Sequence, residues 1–161
     1  MSLQDISPAE AAKELLRRRQ IRRSLTDWSR HCGFEPAPHH RLLISKLEEV
    51  VSGKIDRLMV FMPPGTAKST YTSVLFPSYI LAQDPKLTVL AASHTVELAE
   101  RFGRRVRNLV AEHSNVLGFS LADDSQAAGR WDTDAGGEYF AAGVRGPITG
   151  RRADLALIDD P

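Results

Sequence analysis

Cysteine is nearly absent: Cys32 is the single one in 161 residues. One thiol excludes an intramolecular disulfide framework and fits a reducing compartment. No apolar run approaches the roughly 20 residues that span a bilayer as a helix. The start, Met1-Ser2-Leu3-Gln4-Asp5, lacks the basic-then-apolar pattern of a signal peptide. A soluble cytoplasmic protein with no membrane partner is the expectation. Charge of one sign is missing too: 21 Lys+Arg against 20 Asp+Glu leave a net charge of +1, so bulk charge does not argue for DNA binding. There is no internal repeat and no low-complexity tract. What is there, 42% apolar and 25% charged residues, is the composition of one globular domain with a sizeable core.

Ser7-Pro8-Ala9-Glu10 reads as a helix start, with Ser7 as cap, Pro8 at the first helical position and Glu10 closing a capping box. The helical segment is expected to reach Gly33, with or without a break, on a stripe of Ile21, Leu25, Trp28 and Cys32. Arg17, Arg18, Arg19, Arg22 and Arg23 crowd its middle, as a solvated face or as a contact to DNA phosphates or a neighbouring subunit. The proline-rich Phe34-Glu35-Pro36-Ala37-Pro38 then breaks helicity. A helix is expected over 39–51, facing Leu43, Leu47 and Val50 inward and ended by Gly53. Leu58-Met59-Val60-Phe61-Met62 has the length of a buried strand, and a helix over 69–81 should be kinked or shifted by Pro77. Residues 87–92 form a second strand, and Thr95 caps a helix with Leu98, Phe102, Val106 and Leu109 at helical spacing. Residues 114–137 are polar, with Trp131 the one large anchor in their second half. Two further strands are expected over 138–142 and 154–159. Strands alternating with helices predict an α/β fold, a mostly parallel sheet with helices on both faces. Two segments follow, a helical one over 1–33 and a core over 34–161.

The informative stretch is Met62-Pro63-Pro64-Gly65-Thr66-Ala67-Lys68-Ser69-Thr70. A strand runs into a small-residue loop that ends in Lys-Ser at a helix start, the context of a phosphate loop. There, backbone N–H groups and the helix dipole converge on phosphates. Pro64, Gly65, Thr66, Ala67, Lys68, Ser69 and Thr70 are the candidate nucleotide-binding residues. Lys68 would reach the β- and γ-phosphates of ATP, and the Ser69 hydroxyl would be a ligand of Mg²⁺. The pattern G-x-x-x-x-G-K-[ST] is not met, because Met62 and Ala67 stand where its glycines would. Ala67 is a mild change at negative φ and a costly one at positive φ. Leu157-Ile158-Asp159-Asp160 is an apolar strand ending in two carboxylates, in the chain order that a nucleotide-hydrolysing site needs. Asp159 would hold Mg²⁺ through water, and Asp160 would orient or deprotonate the attacking water. The two can differ in role only if the strand ends at about Asp159, and Pro161 supports that.

With these residues in view the chain resembles the phage terminase large subunits, over roughly residues 34–161. The loop at 62–69 is similar to that family's Pro-Pro-x-x-x-Lys-Ser loop, and Ala91-Ala92-Ser93-His94 with the helix through Arg107 resembles its next strand–helix unit. Gly136-Gly137-Glu138-Tyr139 and Gly143 to Arg151 resemble the region before its second acidic motif, which Leu157-Ile158-Asp159-Asp160-Pro161 matches. The resemblance implies an ATP-driven motor of a phage or prophage that threads double-stranded DNA into a procapsid. It also implies work with a portal protein and a small terminase subunit, and possible homo-oligomers on the portal. Many relatives carry an arginine in the loop that acts on the transition state; Gly65 holds that position here, leaving Arg145, Arg151, Arg152 or a neighbouring subunit as sources. The family's coupling motif and nuclease domain have no counterpart in these residues. The chain alone is therefore expected to bind nucleotide weakly, to turn it over slowly, and to cleave no DNA, with Asp159 and Asp160 on a fraying terminus.

Other signals carry less. Cys32 with His39 and His40 has no zinc-ligand spacing. His39 and His40 open a helix, as caps, near a base or exposed to solvent, and His94 either senses ligand or packs locally. Trp28 and Trp131 are expected as core anchors, since neither lies in an aromatic–basic alternation. Two rival readings remain: a non-catalytic nucleotide-binding remnant, and a helicase-like translocase or small-molecule kinase on the same sheet.

Overall fold

The computed structural model describes residues 7–146 and 152–161. The sequence signals at Met1–Asp5, the Pro147–Arg151 part of the resemblance and the candidate Arg151 lie outside them. The chain forms an α/β fold on a five-stranded mixed sheet, in the order β2-β3-β4-β1-β5. Its strands are β1 Thr88–Ser93, β2 Leu121–Gln126, β3 Arg130–Thr133, β4 Glu138–Gly143 and β5 Leu155–Asp159. The core of the sheet is parallel, β1 lying between β4 and β5, while β2 and β3 add an antiparallel flank.

The helices are α1 Pro8–Arg23, α2 Leu25–His31, α3 Pro38–Val51, α4 Phe76–Gln83 and α5 Val96–Leu117, with a π-helical turn at Thr70–Leu75 running into α4. The Ser7–Glu10 capping box forms as expected. The first helical segment breaks at Ser24, whose hydroxyl accepts from the Asp27 N–H at 3.2 Å and starts α2. Ile21, Leu25 and Trp28 are buried on the expected stripe. Burial pushes the half-buried Cys32 thiol up to about 12, so it stays protonated and unreactive. Among the arginines, Arg17 and Arg18 both meet Glu14 at 2.8 Å, and the Arg22 guanidinium lies against Gly118 at the end of α5. No helix of the described residues is long and apolar enough to cross a membrane.

Two expectations are corrected, the strand over Leu58–Met62 and helical cover on both faces of the sheet, and two further segments gain detail. Leu58–Met62 is not a strand: it joins no ladder of the sheet, and Met59 and Phe61 are 78% and 86% exposed. Leu58, Val60 and Met62 still pack against the core, so every second residue points inward without a hydrogen-bonded neighbour strand. The polar region 114–137 contains β2 and β3, held by Trp131, which is fully buried and stacks on Tyr139 with centroids 5.0 Å apart. Thr95 caps α5, but the buried stripe is Ala99, Gly103, Val106 and Val110, while Leu98, Phe102 and Leu109 are half-buried. Small residues win that face because the β2–β3 connection and the Tyr139 ring come close: a Cβ on Gly103 would stand 2.6 Å from the Ala128 carbonyl oxygen and 3.0 Å from Tyr139. Finally, α5 and the π turn contact the sheet on the face of Val89, Tyr139 and Ala141. On the other face Ala156 is exposed and Ile158 is 66% exposed, where cover on both sides was expected.

Pro77 explains the π turn. A proline at the start of α4 has no N–H to give to the preceding turn, and the chain widens there, the Phe76 N–H reaching back to the Tyr71 carbonyl. The widened turn carries Ser73 toward the end of β5.

Candidate functional site

The carboxyl edge of the parallel strands and the loop before the π turn meet at one point. β5 ends at Asp159, and Asp160 follows in the left-handed region, φ 48°. That reversal lets two adjacent carboxylates face one cation instead of opposite sides of the sheet. Lys68 Nζ lies 3.0 Å from Asp160 Oδ1 and 3.8 Å from Asp159 Oδ1. The two residues differ in setting as well: Asp159 is buried, whereas the Asp160 side chain is 68% exposed. The hydrogen bond that Lys68 donates to Asp160, then the charges of Asp160 and Asp159, raise the Lys68 amine above its ordinary value and keep it charged.

The end of β5 is tied down rather than loose. The Ser93 hydroxyl donates to the Asp159 carbonyl at 2.7 Å, and the His94 N–H donates to the Asp160 carbonyl at 3.0 Å. The Asp159 side chain accepts from the Ser73 hydroxyl at 2.7 Å. These contacts oppose the fraying expected of that position.

Within the loop, Gly65 has φ 77° and Ala67 φ 55°. Ala67 therefore falls in the costly case, an L residue in the left-handed region where the standard pattern has glycine. Thr66 Oγ1 donates to the Pro63 carbonyl at 2.7 Å, and the Thr70 N–H donates to the Ala67 carbonyl at 3.0 Å, closing the loop onto the helix. Thr72 Oγ1 returns to the Lys68 carbonyl at 3.1 Å.

The expected residues Gly65 to Thr70 and Asp159–Asp160 are thus brought to one edge, with Lys68 as the bridge. Pro64 is an exposed part of the same turn. Ser69 is half-buried at the start of the π turn and makes no capping hydrogen bond. The hydroxyl that reaches the buried carboxylate is that of Ser73, which the motif does not mark; Pro77 was the available signal for the displaced turn. His40 is half-buried with its ring against the loop, whereas His39 is exposed. Of the candidate arginines, Arg145 follows β4 at the carboxyl edge, where the Val144 N–H meets the Ser93 carbonyl at 2.9 Å. Arg152 lies at the opposite end of the strands, beside Thr88 and Glu138, too far along the sheet to serve the loop. A cleft of about 840 Å³ lies elsewhere, lined by α1 and the end of α5 and by none of the loop residues.

Among the described residues no group of three His, Cys, Asp or Glu side chains could hold a metal ion. The donors at the site, Asp159 with the Ser69 and Ser73 hydroxyls, suit a Mg²⁺ that keeps most of its ligands from phosphate and water. They do not suit an ion that needs an all-protein cage. Comparison with protein-family models, with curated proteins and with solved structures gives no match for this chain.

Proposed function

We propose that the chain binds and hydrolyses Mg·ATP as the motor core of a DNA-packaging ATPase of the phage terminase type. The observation that carries the ATPase part is the meeting of Lys68 with Asp159 and Asp160 at the carboxyl edge of a parallel sheet, where ligands of open α/β sheets bind. Incoming phosphates exchange one set of negative partners for another around Lys68. Gly65 to Ser69 supply backbone N–H groups to the phosphates, and Lys68 neutralises charge on the β- and γ-groups. Ser69 and Asp159 would hold Mg²⁺, which when bound shields phosphate charge. Asp160, the exposed carboxylate, orients the attacking water. Double-stranded DNA, a portal protein, a small terminase subunit, homo-oligomers on the portal and the host bacterial cytoplasm come from the resemblance alone. A non-catalytic nucleotide-binding reading is favoured by one feature, Gly65 in the place of the family's loop arginine. A steady-state ATPase assay separates the two.

The test titrates a fluorescent ATP analogue with Mg²⁺ against wild type and Lys68→Ala at matched thermal stability. Wild type should bind, and the mutant should lose that binding, since Lys68 contributes a phosphate contact and little packing. Equal affinity in the two proteins would remove the phosphate-loop assignment.

A further inference from the structure

His40 sits in the first turn of α3, and its ring joins backbone groups of two separate segments. The Ala37 N–H donates to Nδ1 at 3.2 Å. Nδ1 is therefore an acceptor, and the proton of the neutral ring is on Nε2. Nε2–H donates in turn to the Thr66 carbonyl oxygen at 2.8 Å. The same ring stacks on Tyr71 with centroids 4.2 Å apart and planes at 25°, and Tyr71 is buried on the π turn. His40 thus grips the loop on both sides of Lys68, by a hydrogen bond at Thr66 and by a stacked ring at Tyr71.

The grip has a directional consequence. A trans peptide is planar, with its C=O and the following N–H pointing opposite ways, and the described residues contain no cis bond. With the Thr66 carbonyl aimed at His40, the Ala67 N–H points away from α3. That orientation goes with the left-handed Ala67, which the loop would not adopt by preference. We propose that His40 is a positioning residue: it locks the Thr66–Ala67 peptide plane so that the Ala67 N–H is presented to a phosphate oxygen of the nucleotide. The ligand rests on the phosphate-loop reading; the locking of the plane does not.

Two measurements on the full chain test the two parts separately. The first follows amide hydrogen exchange in ligand-free protein at Thr70 and Tyr71, whose N–H groups donate to the Ala67 carbonyl at 3.0 and 3.4 Å. His40→Ala should speed their exchange by roughly tenfold, and His40→Gln, which offers both an acceptor and a donor, should restore most of the protection. The second titrates the fluorescent Mg·ATP analogue. Affinity should fall by about fivefold to tenfold in His40→Ala and recover in His40→Gln, with Lys68→Ala as the marker of full loss. Wild-type exchange and affinity in His40→Ala overturn the proposal. So does a loss that His40→Gln fails to restore, because packing at the start of α3 would then be responsible. Wild type that binds no analogue overturns the phosphate ligand, while the exchange arm alone still decides whether His40 locks the loop.

Discussion

Replacing Ala67 by glycine should make the protein more stable, the reverse of the usual effect of that substitution. Ala67 has φ 55° and is exposed, so losing its methyl group removes no packing. An L residue in the left-handed region carries a penalty of roughly 1–2 kcal/mol, which glycine does not. Glycine in return adds about 0.5–1 kcal/mol of unfolded-state entropy. The balance favours Ala67→Gly by about 0.5–1 kcal/mol. At roughly 2 cal/mol/K of unfolding entropy per residue over 161 residues, that is a rise in Tm of about 1.5–3 °C. Thermal and urea unfolding of the two proteins measure it, and Ala67→Val, which adds β-branching at the same φ, should move Tm down. A lower Tm for Ala67→Gly would mean that the left-handed conformation is not populated in solution, and the strain argument would fail.

Asp160→Asn should leave binding of the Mg·ATP analogue intact and cut turnover by about a hundredfold or more, whereas Asp159→Asn should weaken the Mg²⁺ dependence of binding by roughly tenfold. Identical defects in both assays would refute the division of roles. Gly103→Ala should destabilise by about 1 kcal/mol in urea despite the better helix propensity of alanine, because its Cβ meets the Ala128 carbonyl at 2.6 Å. Glu14 is held at about 2 by hydrogen bonds from Arg17 and then Arg18, below its ordinary 4.5. A depressed carboxylate contributes stability above its unfolded value and loses it as pH falls through the folded one. The destabilisation of Glu14→Gln, read as a difference in Tm, should therefore shrink as pH drops from 4.5 toward 2.

Motifs that depend on chain order were legible in the sequence, and contacts that depend on a turn's pitch were not. Lys68 and Asp159–Asp160 stand in the order of a loop–helix and a later strand that meet at one sheet edge, and the structure joins them at 3.0 and 3.8 Å although the residues before the loop form no strand. Ser69 is marked by the motif as a ligand of Mg²⁺, and Pro77 as a kink or shift of the later helical turns. The structure has a π turn there, which also brings Ser73 to 2.7 Å from Asp159, a contact that no motif marks. β2 escaped notice because Leu121-Ala122-Asp123-Asp124-Ser125-Gln126 buries none of its side chains fully and shows no alternation. Leu58–Met62 misled for the opposite reason, since its apolar run suggests a strand buried on both faces, while Met59 and Phe61 face solvent. His40 could be placed on a helix but not against Thr66, 26 residues away, because nothing local in a sequence reports that separation.

Ala67 and Asp160 are the described non-glycine residues with positive φ, and they flank the same cation. The short polar side chain of Asp160 eases its left-handed penalty, whereas Ala67 carries it in full. Such conformations persist only where surrounding contacts over-determine them. Here the contacts are identifiable. Thr66 is held by His40 and Pro63 on one side of Ala67, and the Ala67 carbonyl accepts from Thr70 on the other. Asp160 is held by the His94 N–H through its backbone and by Lys68 through its side chain. Removing Lys68 thus frees one of the two ties on Asp160, so Lys68→Ala should loosen the end of β5 as well as deprive a phosphate of its partner. Amide exchange at His94, whose N–H reports the backbone tie, separates these effects. Faster exchange in ligand-free Lys68→Ala means that the ion pair helps hold the strained turn. Unchanged exchange means that the ladder holds it alone and that the lysine serves only what binds in the loop.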